Sequence, residues 1–210
     1  MKCDVKIYCE AQLTAQELDS VQYQITGYEL HCNEGVLGST GRSHYGLAMY
    51  ARSHIMVDSC LVPDMTESDN ESVECDLMKI SVNPHSQMNI VCLYRRPSTV
   101  IEQLRTVVKK LLSYIQINRV SAGSGIKEWD IIIGDFNLDL SEDKNKKVMS
   151  NIFHGYRQLV LQSATDYRSW LDHVYTNIHE DMIKTFVSEV YYSDHKAIIC
   201  YINKDHGMIE

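Results

Sequence analysis

Trp129-Asp130-Ile131-Ile132-Ile133-Gly134-Asp135-Phe136-Asn137 is the stretch on which the fold turns. Its short, continuously apolar centre reads as a strand buried on both faces. At the end of an extended segment, residues two apart point to the same side, so Asp135 and Asn137 would face one pocket. The acid can orient or deprotonate a water, and the amide can hydrogen-bond a phosphate oxygen. Gly134 would let the backbone turn sharply there. A strand closed by an Asp/Asn turn with no activity is also common, so the motif alone leaves both readings open.

A second motif, Ser193-Asp194-His195, stands just before another apolar run, Ala197-Ile198-Ile199-Cys200-Tyr201. An imidazole there can donate to a phosphate oxygen, and the neighbouring acid can bind a metal or orient water. Asp172 lies in Trp170-Leu171-Asp172-His173-Val174, an apolar strand context. A buried Asp needs a partner, and His195 would serve. Glu10 closes the strand Val5–Cys9 and is of a type suited to Mg²⁺, which prefers oxygen ligands. Tyr94 ends Ile90–Leu93 and could bond a phosphate. Each alone also fits an ordinary role: a turn with an exposed His, a surface Glu, a core-edge Tyr. All of these stand at or near expected strand ends, and all suit metal-assisted phosphoryl transfer.

Outward from these motifs the pattern is strand-rich. Asp4 to Cys9, Tyr45 to Arg52, Val73 to Val82, Asn89 to Tyr94, Leu171 to Thr176, Thr185 to Tyr192 and Lys196 to Ile202 read as strands. One helix is clear. Thr99 with Glu102 matches a capping box, and Leu104, Val107, Val108, Leu111, Leu112 and Ile115 fall on one stripe. Further helices are expected over Ala15 to Val21 and within 142–154. Residues 33–44, 63–72 and 121–125 read as loops. Many strands and few helices, unevenly interleaved, point to α/β layers with mixed sheets.

The 210 residues suffice for a single domain spanning 1–210, with 203–210 expected as a tail. At 44% hydrophobic and 23% charged the composition is that of a globular protein. No apolar run is long enough for a membrane span, and Met-Lys-Cys-Asp-Val-Lys has no secretory pattern. Seven cysteines without a Cys-x-x-Cys pair do not form a disulfide or zinc framework. They read as reduced, mostly buried thiols of an intracellular protein. The net charge of −8 argues against a sequence-independent nucleic-acid coat, but not against a nuclease whose carboxylates hold a metal. Arg95-Arg96, Lys109-Lys110 and Lys144 with Lys146-Lys147 are the basic clusters.

In this order the motifs resemble those of the endonuclease/exonuclease/phosphatase superfamily, the DNase I-like proteins, from Asp4 to about Ile202. Asp4-Val5-Lys6-Ile7-Tyr8-Cys9-Glu10 is similar to the strand carrying the metal-binding Glu. Tyr45 to Arg52 resembles the Gly-x-Ala-x-Tyr strand, and Leu93-Tyr94-Arg95-Arg96-Pro97-Ser98 the Tyr-x-x-Pro segment. The last three motifs match Gly134-Asp135-Phe136-Asn137, Leu171-Asp172-His173-Val174 and Ser193-Asp194-His195. The Tyr-Arg-x-Pro-Ser and Leu-Asp-His-Val-Tyr-Thr-Asn stretches resemble mobile-element endonucleases attached to non-LTR reverse transcriptases or Helitron-type helicases.

The resemblance implies a four-layered α/β sandwich of two packed mixed sheets flanked by helices. It implies divalent-metal-dependent phosphodiester hydrolysis, with DNA nicking foremost. Glu10 and Asp194 would serve Mg²⁺ or Mn²⁺. Asp135 would activate water, Asn137 and Tyr94 would contact the phosphate, His195 would donate to it, and Asp172 would fix His195. Arg95 and Thr165 would be further substrate contacts. The partner implied is the DNA phosphate backbone, with a reverse transcriptase or helicase in the parent element, no membrane, and a nuclear location. The family's Asn-bearing strand precedes its Glu strand. Only three residues precede that strand here, so the resemblance implies a domain lacking its first strand, with an edge or gap in one sheet. Two other functions are consistent with the residues: a catalytically inactive nucleic-acid- or protein-binding remnant, and a phosphatase on small phosphorylated substrates.

Overall fold

The computed structural model describes residues 4–9, 24–33, 36–37, 43–44, 46–60, 65, 72–121, 125–161, 169–190 and 195–203. The strands are β1 (Val5–Cys9), β2 (Tyr28–Asn33), β3 (Val36–Leu37), β4 (Ser43–His44), β5 (Leu47–Arg52), β6 (Val57–Cys60), β7 (Val73–Asn83), β8 (Ser86–Arg95), β9 (Lys127–Asp135), β10 (Arg157–Gln158), β11 (Asp172–Thr176), β12 (Ile183–Ser188) and β13 (Ala197–Ile202). Two helices, α1 (Ile101–Ser121) and α2 (Asp143–Ile152), and a short 3₁₀ turn over Glu180–Met182 complete the described elements.

The larger sheet has the order β10-β11-β9-β8-β7-β6. Its one parallel pair is β8 with β9, and α1 is the crossover between them. The isoleucine run explains itself by period two. Ile132 enters the core beneath α1 with Val91, Leu93, Leu104, Val107 and Leu111. Ile131 and Ile133 enter a second core with Leu47, Met49, Ile90, Cys92 and Val174. Both faces of β9 are covered, as a run without polar alternation requires. On α1, Leu104, Val107, Val108, Leu111 and Ile115 are each at most 2% exposed. Full burial of each such side chain contributes roughly 1.5–3 kcal/mol.

The entry to α1 differs from the Thr99/Glu102 capping box. Gln103 reaches back to accept from the Val100 backbone N–H at 3.3 Å. The Thr99 hydroxyl instead donates to the Ser72 carbonyl at 2.6 Å, which ties the helix entry to the start of β7. Only the return half of a capping box forms, one residue further on, since Val100 has no side-chain acceptor and the Thr99 hydroxyl is turned to Ser72.

Opposite the larger sheet, β5 is flanked by β1 and β2, and β12 pairs with β13. Side chains of β1, β5, β12 and β13 pack on the second core. The molecule is thus mixed α/β with two main sheets and few helices. The strands β2, β6 and β10, and the β3–β4 pairing inside the segment expected as a loop, went unpredicted. The helix expected over Ala15 to Val21 lies outside the described residues. Among the described residues β1 pairs only with β5 and β13 only with β12, so each has an edge. Val5, Ile7 and Cys9 of β1, Ile198, Cys200 and Ile202 of β13, and Ile133 of β9 are only partly buried. Among the described residues no helix is long and apolar enough to cross a membrane.

Candidate active site

Strand register sets four polar side chains in one row. Glu74 of β7 stands opposite Tyr94 of β8, Tyr94 opposite Asp135 of β9, and Asp135 opposite Asp172 of β11. Residues opposed in register share a face. Ile133 and Val174, two residues inward on β9 and β11, belong to the core between the sheets. The row therefore lies on the inter-sheet face, at one end of the larger sheet.

Asp135 is 6% exposed and organises its own turn. The Asn137 backbone N–H donates to Asp135 Oδ1 at 2.8 Å. The Asn137 amide donates to Asp135 Oδ2 at 3.2 Å and to the Arg95 carbonyl at 2.8 Å. Asn137 has φ of 45°, in the left-handed region that Asn tolerates better than most residues. Asp135 and Asn137 do converge, with the amide nitrogen aiming the carboxylate.

The role expected of Gly134 changes. The sharp turn is at Asn137, and Gly134 is still inside the β9 ladder, opposite Leu93. A Cβ on Gly134 would lie 1.7 Å from the Leu93 carbonyl oxygen. Glycine stands there because the β8 backbone passes against it, and that approach brings Tyr94 beside Asp135.

Arg95 also differs from its expected role as a substrate contact. It is 5% exposed, and its Nη1 donates to the carbonyls of Phe136 at 3.0 Å and Asn137 at 2.9 Å. Its Nη2 donates to the Thr99 carbonyl. The guanidinium thus holds the Asp135 turn from behind. Burial lowers its pKa, and the negative charge of Asp135 partly offsets that. Tyr94 holds its place in the row but is 1% exposed.

His195, two residues before β13, meets Asp172 through Nδ1···Oδ2 at 2.8 Å, the partner expected for that acid. The side chains are 34% and 15% exposed. An imidazole held through Nδ1 presents its chemistry through Nε2. Glu10, Thr165 and Asp194 lie outside the described residues.

Glu74 was missed in the sequence. Its Oε2 accepts from the Gly46 backbone N–H at 2.8 Å, and Arg96 stands 3.6 Å from Oε1. It joins Gly46, the residue before β5 of the smaller sheet, to the end of the row. The available signal was the alternation Val73-Glu74-Cys75-Asp76-Leu77, two acids on one face of an apolar strand.

The reverse face of the same strands is built differently. His173 is 0% exposed, and its Nε2 faces the carbonyls of Leu138 at 3.0 Å and Trp170 at 2.9 Å. Two acceptors at one nitrogen assign the proton to Nε2, which leaves Nδ1 to accept from the Tyr175 hydroxyl at 3.2 Å. The ring stacks on Phe136 with centroids 4.6 Å apart. Burial pulls its pKa down to about 4 against the pull of the two carbonyls. It is a neutral brace under the Asp135-Phe136-Asn137 turn.

Among the described residues no three His, Cys, Asp or Glu side chains stand together as a metal site. The row does carry the oxygen donors that suit a hard dication. Three carboxylates, Glu74, Asp135 and Asp172, share it, with Arg96 at one end and His195 at the other.

No protein-family model matches the sequence, and no curated protein matches it closely. Solved structures do match. An endonuclease/exonuclease/phosphatase family protein from Leptotrichia buccalis superposes with a TM-score of 0.59 at 16% identity, over 95% of this chain and 87% of that one. The human Nocturnin catalytic domain with bound sulfate gives 0.61 at 16%, over 94% and 79%. A mannosyl-6-phosphatase from Bacteroides thetaiotaomicron gives 0.58 at 15%, over 95% and 85%. The chain has the fold of the endonuclease/exonuclease/phosphatase, DNase I-like proteins.

Proposed function

We propose that the protein hydrolyses phosphodiester bonds with the aid of Mg²⁺ or Mn²⁺, and that it nicks DNA. The observation that carries this reading is the His195–Asp172 pair, set by strand register beside the Asp135–Asn137 turn. Phosphoryl transfer gathers negative charge on the transferred group, and catalysis consists largely of positioning and of neutralising that charge.

The chain's own groups divide that work. Asp135, aimed by Asn137, orients the attacking water and accepts its proton. His195 donates through Nε2 to the phosphate, and Asp172 stabilises the charged imidazole through Nδ1. Arg95 holds the Asp135 turn in place from β8, and Tyr94, beside Asp135 in register, would contact the phosphate. Glu10 and Asp194 would hold the metal, which supplies further charge neutralisation and a more acidic water. The resemblance of the Tyr-Arg-x-Pro-Ser and Leu-Asp-His-Val-Tyr-Thr-Asn stretches to mobile-element endonucleases supports a mobile-element origin, with a reverse transcriptase or helicase as the associated protein and a nuclear location. A phosphatase acting on small phosphorylated substrates is the second reading. The fold shared with a mannosyl-6-phosphatase favours it, as does the net charge of −8, which repels a polyanion.

Purified protein with supercoiled plasmid and Mg²⁺ tests the proposal. Conversion of plasmid to open circles, abolished by chelator and restored by Mn²⁺, is the expected result. Release of inorganic phosphate from small monoesters without nicking would favour the phosphatase. Neither activity would leave the inert nucleic-acid- or protein-binding reading.

A further inference from the structure

Cys9 closes β1 of the smaller sheet and Cys92 lies on β8 of the larger one. Their sulfurs face each other across the inter-sheet core at 3.8 Å. Cys9 Sγ is also 4.0 Å from the Leu93 carbonyl oxygen, an acceptor for its S–H. That arrangement directs the Cys92 S–H at the Cys9 sulfur. We propose that Cys9 and Cys92 are a disulfide-forming pair that closes when the protein meets a peroxide.

The sulfurs are in contact, and the approach from contact to a bond of about 2.05 Å is a side-chain movement of under about 2 Å. Exposure sets the order of reaction. Cys9 is partly exposed and Cys92 is 0% exposed. The Cys9 sulfur attacks one peroxide oxygen; the O–O bond breaks, an S–O bond forms, and the Cys9 proton leaves with the other oxygen as water. The Cys92 sulfur then attacks Cys9 Sγ; the S–O bond breaks, the S–S bond forms, and the hydroxyl leaves with the Cys92 proton as a second water. Two thiols are oxidised and one peroxide is reduced. The hydrogen bond to Cys9, burial, and the nearby Asp76 and Cys75 all raise the Cys92 pKa, so the second step is slow and Cys92 resists attack from solvent. Cys75, on the neighbouring strand, packs against the helix-side core, on the opposite face of the sheet from the pair.

The bond would join residues 83 positions apart and lock β1 to β8 beside the Tyr94–Asp135 row. A loop that long gives a disulfide most of its stabilising effect, and the expected rise in Tm is about 5–10 °C. The test is hydrogen peroxide treatment of the purified chain, followed by non-reducing proteolysis and mass spectrometry. A Cys9–Cys92 linked peptide that disappears on reduction, together with the rise in Tm, is expected. Cys9→Ser and Cys92→Ser should each remove both signals, and Cys75→Ser should keep them. Oxidation of Cys9 through to sulfinic acid with no linked peptide, or linkage to a different cysteine, overturns the proposal. The wild-type peptide map decides this even where a serine variant does not fold, and it does not depend on nuclease activity.

Discussion

Strand β9 carries two aspartates, Asp130 and Asp135, near its two ends, and β11 carries His173 on one face and, through Asp172, binds His195 on the other. Asp130 is 0% exposed and saturated. Arg119 Nη2 at 2.5 Å, the Tyr156 hydroxyl at 2.6 Å and Asn177 Nδ2 at 3.1 Å all meet its Oδ2, and Asn89 Nδ2 meets Oδ1 at 2.8 Å. Asp135 instead lies at the mouth of the sheet, with Asn137 aiming its two oxygens. His173 is locked neutral against two carbonyls, whereas His195 is a third exposed and bonded to the Asp172 carboxylate. Residue type does not separate these sets. What separates them is where each side chain lies: Asp130 and His173 are 0% exposed, while Asp135 and His195 stand at the mouth of the sheet. A charge sealed inside its ring of partners holds the fold, while one set at the mouth of the sheet is available for chemistry.

The sharpest way to break the comparison is Asp130→Ala. It would leave Arg119 and three polar partners facing an empty site, and a broken buried pair costs about 3–5 kcal/mol. Urea unfolding should show that loss, with nicking by the remaining folded fraction unchanged. Lost nicking at full stability would place the chemistry at the wrong aspartate.

The pH dependence of His173 comes next. Its folded pKa of about 4 lies below the ordinary 6.5, so the fold favours the neutral ring. Its contribution is fully present above pH 6.5 and is lost as pH falls toward 4, by about 3 kcal/mol in all at 1.36 kcal/mol per unit. Unfolding curves for wild type and His173→Gln between pH 7 and pH 4 isolate it. A variant as acid-sensitive as wild type would contradict the brace.

A smaller effect is expected from Asp172→Asn. It keeps the shape but removes the charge behind His195, so the nicking rate should fall about 100-fold with Tm nearly unchanged. A rate within about twofold of wild type would show that His195 acts without Asp172.

Much of this was legible locally. The buried run Ile131–Ile133, the stripe on α1 and the spacing of Asp135 to Asn137 are short-range patterns. The partnership of Asp172 with His195 followed from the rule that a buried acid needs a partner. The rest depended on neighbours distant in sequence. Gly134 is small because of Leu93, Arg95 turns inward because the carbonyls of Phe136, Asn137 and Thr99 converge on it, and Glu74 enters the row only through its register with Tyr94. The two- to four-residue strands β3, β4, β6 and β10 escaped because they are too short to show a period, whereas β2, Tyr28-Glu29-Leu30-His31-Cys32-Asn33, does alternate and was legible but passed over.

The central claim is that His195 serves chemistry and not stability. The direct measurement is the Mg²⁺-dependent nicking rate and the Tm of His195→Ala, taken on the same preparation beside wild type. A rate loss of about 100- to 1,000-fold with Tm within about 2 °C of wild type is predicted. A retained rate, or a loss matched by a collapse in Tm, would contradict it.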